Sequence, residues 1–268
     1  VIAFKLFLPS LLPHHDSPKV TFPGTPTGLP KGFAPVDPEH PFRGTPANLW
    51  PQGADGVQLP AAEAVGRYSA DQVAAAEARA KQLITVARLD QHVLETGDPE
   101  PVLALLSQGT VDTIRPQLTP GNASRTPWLT TKLAAGNKLL PTPPRVDGSM
   151  SAELDDKGAL SIKTNYIVAY AFQAPDQTAI TDPMDIIVLV REQVEYIWID
   201  DPRYDQPSQG MHFGKIQGHT YNADCDWFNK GYLAATYGRT TSHGGATQPR
   251  SPSQYFDPTI PLPTESNC

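Results

Sequence analysis

Leu160-Ser-Ile-Lys-Thr-Asn-Tyr-Ile-Val-Ala-Tyr-Ala-Phe172 decides the fold class. Leu160, Ile162, Thr164, Tyr166, Val168, Tyr170 and Phe172 stand two apart, the repeat of a strand whose alternate side chains share one face. Working back, Met150, Ala152 and Leu154 alternate with polar neighbours in the same way. Asp155-Asp-Lys-Gly158 joins the two runs as a turn, with glycine available for positive φ. Working forward, Ile186-Ile-Val-Leu-Val190 is apolar on both faces, as a central strand is. Arg191-Glu-Gln193 then reads as a tight turn into Val194-Glu-Tyr-Ile-Trp-Ile199, which Asp200-Asp201-Pro202 ends. About four antiparallel strands result.

Upstream the repeat is helical. Ser69-Ala-Asp-Gln72 is a capping box, in which the serine hydroxyl and the glutamine side chain each answer an orphan amide of the first turn. Val73, Ala76, Ala80, Leu83, Ile84 and Ala87 follow at helical spacing, so a helix is predicted over Ala70–Leu89. It continues in broken form through His92–Glu95 to a stop at Gly97. Asp98-Pro99 starts a short buried helix over Val102–Leu106. Further helical turns are predicted near Val111–Ile114 and at Thr126-Pro127-Trp128. Helices first and an antiparallel sheet afterwards make an α+β domain, predicted over 61–201.

Proline marks what lies outside. The chain has 29 prolines among 268 residues, roughly twice ordinary usage, and most fall before residue 60 or after residue 202. Residues 1–60 are therefore expected as an extended arm and 202–268 as an irregular C-terminal arm. Phe22, Phe33, Phe42, Leu49 and Trp50 punctuate the first arm. A disordered linker carries fewer large residues, so these are expected to dock in surface grooves. The chain starts at Val1 rather than Met, which leads to the expectation of a longer, processed precursor. The apolar opening Val1–Pro13 is too short to cross a bilayer. It reads either as the end of a membrane anchor or as an arm packing on its own domain or a neighbour.

The net charge of −7 and the scattered placement of 21 lysines and arginines exclude a nucleic-acid partner, which needs a basic patch. Cys225 and Cys268 are the two cysteines. In an exported chain they form one disulfide, with two free thiols as the alternative. A loop of that size is worth at most about 4 kcal/mol in the chain-entropy account.

Catalytic patterns are weak, and neither a catalytic residue nor a cofactor is expected. Cys225 lies between His219 and His243, but the flanking sequence lacks the frame of a cysteine nucleophile. Asp200, Asp201 and Asp205 are weak metal candidates, with His212, His219, Asp224 and Asp226 nearby in sequence. No His-x-x-x-His or calcium-loop spacing supports them. His243-Gly244-Gly245 lacks an accompanying nucleophile elbow. Leu83, Trp128, Tyr166, Tyr170 and Trp198 are the candidate lining of a pocket between helix and sheet. Such aromatics are more often core than site.

A long N-terminal helix followed by a curved antiparallel sheet resembles the cone of NTF2-like and cystatin-like domains. A second resemblance rests on Tyr68-Ser-Ala-Asp-Gln-Val73, Ala87-Arg-Leu-Asp90, Gly97-Asp-Pro-Glu-Pro101 with Leu103-Ala-Leu-Leu106, Thr164-Asn-Tyr166 with Tyr170-Ala171, and Asn222-Ala-Asp-Cys225. With these the chain is similar to uncharacterised membrane-anchored extracytoplasmic proteins of actinobacterial type. That likeness implies a location outside the cytoplasm and a fold, and no activity. The expected function is a non-catalytic extracytoplasmic interaction or structural subunit of a membrane-associated or larger assembly. Its arms would meet a protein partner or neighbouring copies. The alternative is an NTF2-like small-ligand-binding protein or an isomerase- or hydrolase-like enzyme.

Overall fold

A computed structural model of the chain describes residues 36–119, 124, 126–239, 252–263 and 268. Phe22, Phe33, the apolar opening, His14-His15-Asp16 and His243-Gly244-Gly245 lie outside the described residues.

The first helix, α1, spans Ala70–Leu89 as its pattern predicts. The Ser69 hydroxyl accepts from the Gln72 amide at 3.3 Å, and the Gln72 side chain accepts from the Ser69 amide at 3.0 Å. Its buried stripe contains the expected Val73, Ala76, Ala80, Leu83, Ile84 and Ala87, and also Glu77 and Arg88. Asp90 caps α2 (Gln91–Thr96), which ends on Gly97 at φ 70°. Two short helices follow, α3 (Glu100–Leu103) and α4 (Gln108–Ile114), the latter capped by Ser107. Thr126-Pro127-Trp128 makes one closed turn, Leu129 N–H to Thr126 O at 3.1 Å, and no helix. The chain then runs extended along α1, donating from Thr131 to Ala87 O.

Four antiparallel strands form one sheet in the order β1 (Arg145–Leu154), β2 (Leu160–Ala171), β3 (Ile187–Ile199), β4 (Gly210–Tyr221). The expected turn at Arg191–Gln193 does not exist: β3 runs straight through, pairing Arg191 with Ile167, Glu192 with Tyr166 and Gln193 with Asn165. Arg191 and Glu192 stay in the strand because each finds partners on its own face of the sheet. The fourth strand is instead Gly210–Tyr221, inside the stretch expected to be irregular. Gly210, Gly214 and Gly218 interrupt its alternation and hide it from the sequence. A register shift at Val194/Tyr196 marks a bulge against this strand, which bends and twists the pair.

Both faces of the sheet are covered. On one, Tyr166, Val168, Tyr170, Val188, Val190 and Val194 pack with α1 in the larger core. On the other, Ile167, Ala169, Ile187, Leu189 and Tyr221 pack with Val36, Phe42, Ala47 and Phe256. Phe42 and Trp50 of the first arm thus dock as expected, Trp50 meeting Phe256 edge-on at 5.7 Å. Leu49, at 86% exposure, does not dock. The turn Gly53–Gly56 presses on β1 so closely that a β-carbon at Gly56 would lie 2.2 Å from Val146 O. Among the described residues no helix is long and apolar enough to cross a membrane.

Candidate functional site

Arg88 and Glu192 form a buried ion-pair network in the helix-side core, apart from Glu77, which is buried earlier on α1 and whose pKa burial raises. Arg88 projects from the last turn of α1 and Glu192 from the middle of β3, both nearly inaccessible. Arg88 Nη2 lies 2.7 Å from Glu192 Oε1, and Nε donates to Oε2 at 3.1 Å. The remaining guanidinium donors reach Pro127 O, Thr131 Oγ1 and Trp128 O, at 3.2, 3.2 and 2.5 Å. Tyr166 donates to Glu192 Oε2 at 2.5 Å, and Tyr170 donates to Arg88 O at 2.8 Å. Burial alone would favour loss of the Arg88 proton, but the Glu192 charge more than reverses this and raises its pKa. Burial, then the Glu192 charge, pushes the Tyr166 phenol far up, so it stays a donor. Burial likewise raises Tyr170.

A cleft of about 230 Å³ opens above this network, between residues 127–132, the middle of β3 and β4, and residues 228–233. Trp128, Val190, Ile216, Phe228 and Leu233 supply its apolar surface, and Glu192 touches it from below. Thr130 is 1% exposed, and its hydroxyl has no hydrogen-bond partner among the described residues. Lys132 also lines the cleft, and burial lowers its pKa. A larger depression of about 670 Å³ lies along Leu133–Pro144, but no buried ionisable side chain lines it. Of the two, the smaller cleft is therefore the better candidate, because it meets the buried ion pair.

Of the five expected lining residues, Trp128 lines this cleft. Leu83, Tyr166 and Tyr170 are fully buried, and the two tyrosines act beneath it through Arg88 and Glu192. Trp198 packs half-buried on the core, away from the cleft lining. The residues the pattern missed are Arg88, Thr130 and Glu192. A signal existed for two of them: Arg88 follows Ile84 by four on the helical stripe, and Glu192 falls in step with Val188, Val190 and Val194 once β3 is continuous.

Asp200, Asp201 and Asp205 do not act as a group. Asp200 accepts from Gln72 at 3.2 Å, whereas Asp201 is paired with Arg203 at 2.6 Å and Arg67 at 3.0 Å. The hydrogen bond from Arg203 leads in holding Asp201 down to about 2. Asp205 only precedes the turn Gln206–Ser208, without capping it. Cys225 and Cys268 are bonded to each other with Cα atoms 5.1 Å apart, so Cys225 is no nucleophile. A bridge of this kind points to an oxidising, extracytoplasmic setting. No family model, curated protein or solved structure matches the chain. The fold and site thus define an α+β domain with a disulfide and a small cleft over a buried ion pair.

Proposed function

We propose that this is a non-catalytic extracytoplasmic binding domain. Its cleft between Trp128, Thr130 and β3–β4 takes a small, largely apolar ligand carrying one hydrogen-bonding group. One observation carries the reading: a buried hydroxyl, Thr130, lacks a partner among the described residues at the wall of a cleft whose surface is mainly apolar, with Lys132, Glu192 and His219 as polar groups at its margin. An orphaned buried hydroxyl costs about 1–3 kcal/mol, which a ligand carbonyl or hydroxyl recovers once the Thr130 side chain turns its hydroxyl into the cleft. At about 230 Å³ the cleft is below the roughly 300–1,000 Å³ typical of drug-sized ligands, so a fragment-sized molecule fits. The acid–base alternative loses support because both Glu192 oxygens are taken by Arg88 and Tyr166. A general base has to reach the proton it removes.

In this reading the domain is an NTF2-like cone of an actinobacterial-type membrane-anchored protein. A long capped helix laid across a bulged four-strand sheet supports the cone. The experiment is a fragment screen by ligand-observed NMR on the intact chain, repeated on Ile216→Trp, which fills the cleft. Hits that vanish in Ile216→Trp support the site, and hits that persist unchanged refute it.

One observation favours a second reading, the interaction or structural subunit. Leu49 stands fully out on the turn Pro46–Leu49, whose neighbours Ala47 and Trp50 pack on the sheet. The described parts of both arms pack on the chain's own sheet, so in this reading a partner is met by exposed residues such as Leu49. Leu49→Asp should then abolish self-association or partner capture while leaving the melting temperature unchanged.

A further inference from the structure

The outer face of the sheet holds a peptide. Arg191, 1% exposed in the middle of β3, donates through Nη1 to Ile260 O at 2.5 Å and through Nη2 to Pro258 O at 2.6 Å. Asp257 O lies 3.5 Å from Nη1. From the neighbouring strand, Asn165 Nδ2 donates to Pro258 O at 2.8 Å. The Asp257 carboxylate accepts from the Thr259 amide and hydroxyl at 2.8 and 2.6 Å. That Asx turn points successive carbonyls at one guanidinium. Just ahead of the turn, Tyr255 stacks on Tyr221 at 4.7 Å, and Phe256 meets Trp50.

Two features separate this from ordinary tail packing. A buried guanidinium is normally matched by a carboxylate. Among the described residues, the hydrogen bonds of Arg191 all go to main-chain carbonyls of this one segment. Donors that read carbonyls make no demand for backbone amides, and so tolerate proline in the bound chain. The resident segment also leaves the site incomplete. Arg191 Nε, Asn165 Oδ1 and Tyr221 Oη are buried without a hydrogen-bond partner among the described residues.

We propose that this face is a peptide-binding site with Tyr255–Ile260 as its resident ligand. Its external ligand is a peptide of the same chemistry: an aromatic pair followed by an Asp-Pro turn. The Cys225–Cys268 bridge closes the loop that carries the resident segment. The main chain already tethers the segment at an effective concentration of about millimolar; the bridge pins its far end as well, and this second anchor is what raises the barrier to a competing peptide.

The test uses the full chain, with its bridge and as Cys225→Ser/Cys268→Ser, and a fluorescent peptide of residues 252–263 followed by anisotropy. The chain without the bridge should bind saturably, at least about tenfold more tightly than the bridged chain. A peptide carrying Phe256→Ala should bind about tenfold more weakly, and a scrambled peptide should not bind. Absence of saturable binding up to millimolar peptide, or equal binding of the scrambled sequence, overturns the site. Equal affinity of the bridged and bridge-free chains overturns the role of the disulfide. The peptide-side variants keep the test decisive even if substitutions of Arg191 fail to fold.

Discussion

Replacing Arg88 with methionine keeps the length of the side chain and removes its charge. In the folded protein this deletes two contacts to Glu192, two to the carbonyls of Pro127 and Trp128, and one to Thr131. Glu192 is left 6% exposed with Tyr166 as its remaining donor. Breaking a buried pair by removing one partner costs about 3–5 kcal/mol, chiefly through the uncompensated charge left behind. A domain of this kind is stable by about 5–15 kcal/mol in total, so Arg88→Met should still fold but with a much lower urea midpoint. The informative comparison is Arg88→Met/Glu192→Leu, which removes both charges. The double variant should be less destabilised than the sum of the two single changes, by about 0.5–3 kcal/mol. Urea unfolding followed by circular dichroism gives all four corners of the cycle. A cost below about 1 kcal/mol for Arg88→Met, or strictly additive single effects, would refute the reading of this pair as the electrostatic centre of the core.

Two further outcomes follow from the same structure. Phe42 is 1% exposed beneath the sheet, so Phe42→Ala should cost about 3–5 kcal/mol in the same urea assay; a loss within about 0.5 kcal/mol would mean that the first arm is not part of the core. Asp201 is held down to about 2, first by its hydrogen bonds from Arg203, whereas an unfolded aspartate titrates near ~3.9. Because the folded value is the lower one, its contribution is complete above about pH 4 and is lost as pH falls towards 2. Asp201→Asn should therefore flatten the urea midpoint between pH 4 and 2, and an unchanged slope would exclude Asp201 as a source of acid lability.

What was legible in the sequence was local and periodic. Ser69–Gln72 and the stripe from Val73 to Ala87 place α1 to the residue, because capping and helical spacing act within a few positions. The β1–β2 hairpin was equally readable, since Leu160–Phe172 alternates cleanly and Asp155–Gly158 turns. Reading failed wherever a residue's partner was remote in sequence. Glu192 looked like a bend because Arg88 is 104 residues away, and Arg191 because its carbonyls are more than 65 residues downstream. β4 failed for a different reason. Its burial is partial along most of its length, as an edge strand's is, and three glycines leave little hydrophobic pattern to detect. The candidate site suffered most, because it is assembled from α1, β3, β4 and two loops, and its key hydroxyl, Thr130, has no sequence signature.

Arg191 and Glu192 are successive residues of the central strand, and their divergent partners explain why the sheet is covered on both faces. Alternation sends Glu192 towards α1 and Arg191 away from it. Each would be prohibitively costly to bury alone. On the helix side a carboxylate–guanidinium pair resolves the problem with charge. On the outer side no carboxylate hydrogen-bonds to Arg191 among the described residues; a turn of the C-terminal segment meets it with main-chain carbonyls, and the charge of the Asp257 carboxylate on the same turn adds to them. The two solutions differ in what they permit. The Arg88–Glu192 pair is formed by two rigid elements and can only be kept or broken. The Arg191 site is filled by a segment outside the four strands and the helices packed on them, and a chain presenting the same aromatic pair and Asp-Pro turn can take its place. A buried cation that must always be covered, but not by any one covalent partner, is how a fold comes to carry an exchangeable binding face. That is why the outer face of β3, rather than the ion pair beneath the cleft, is the part of this molecule most open to replacement by another chain.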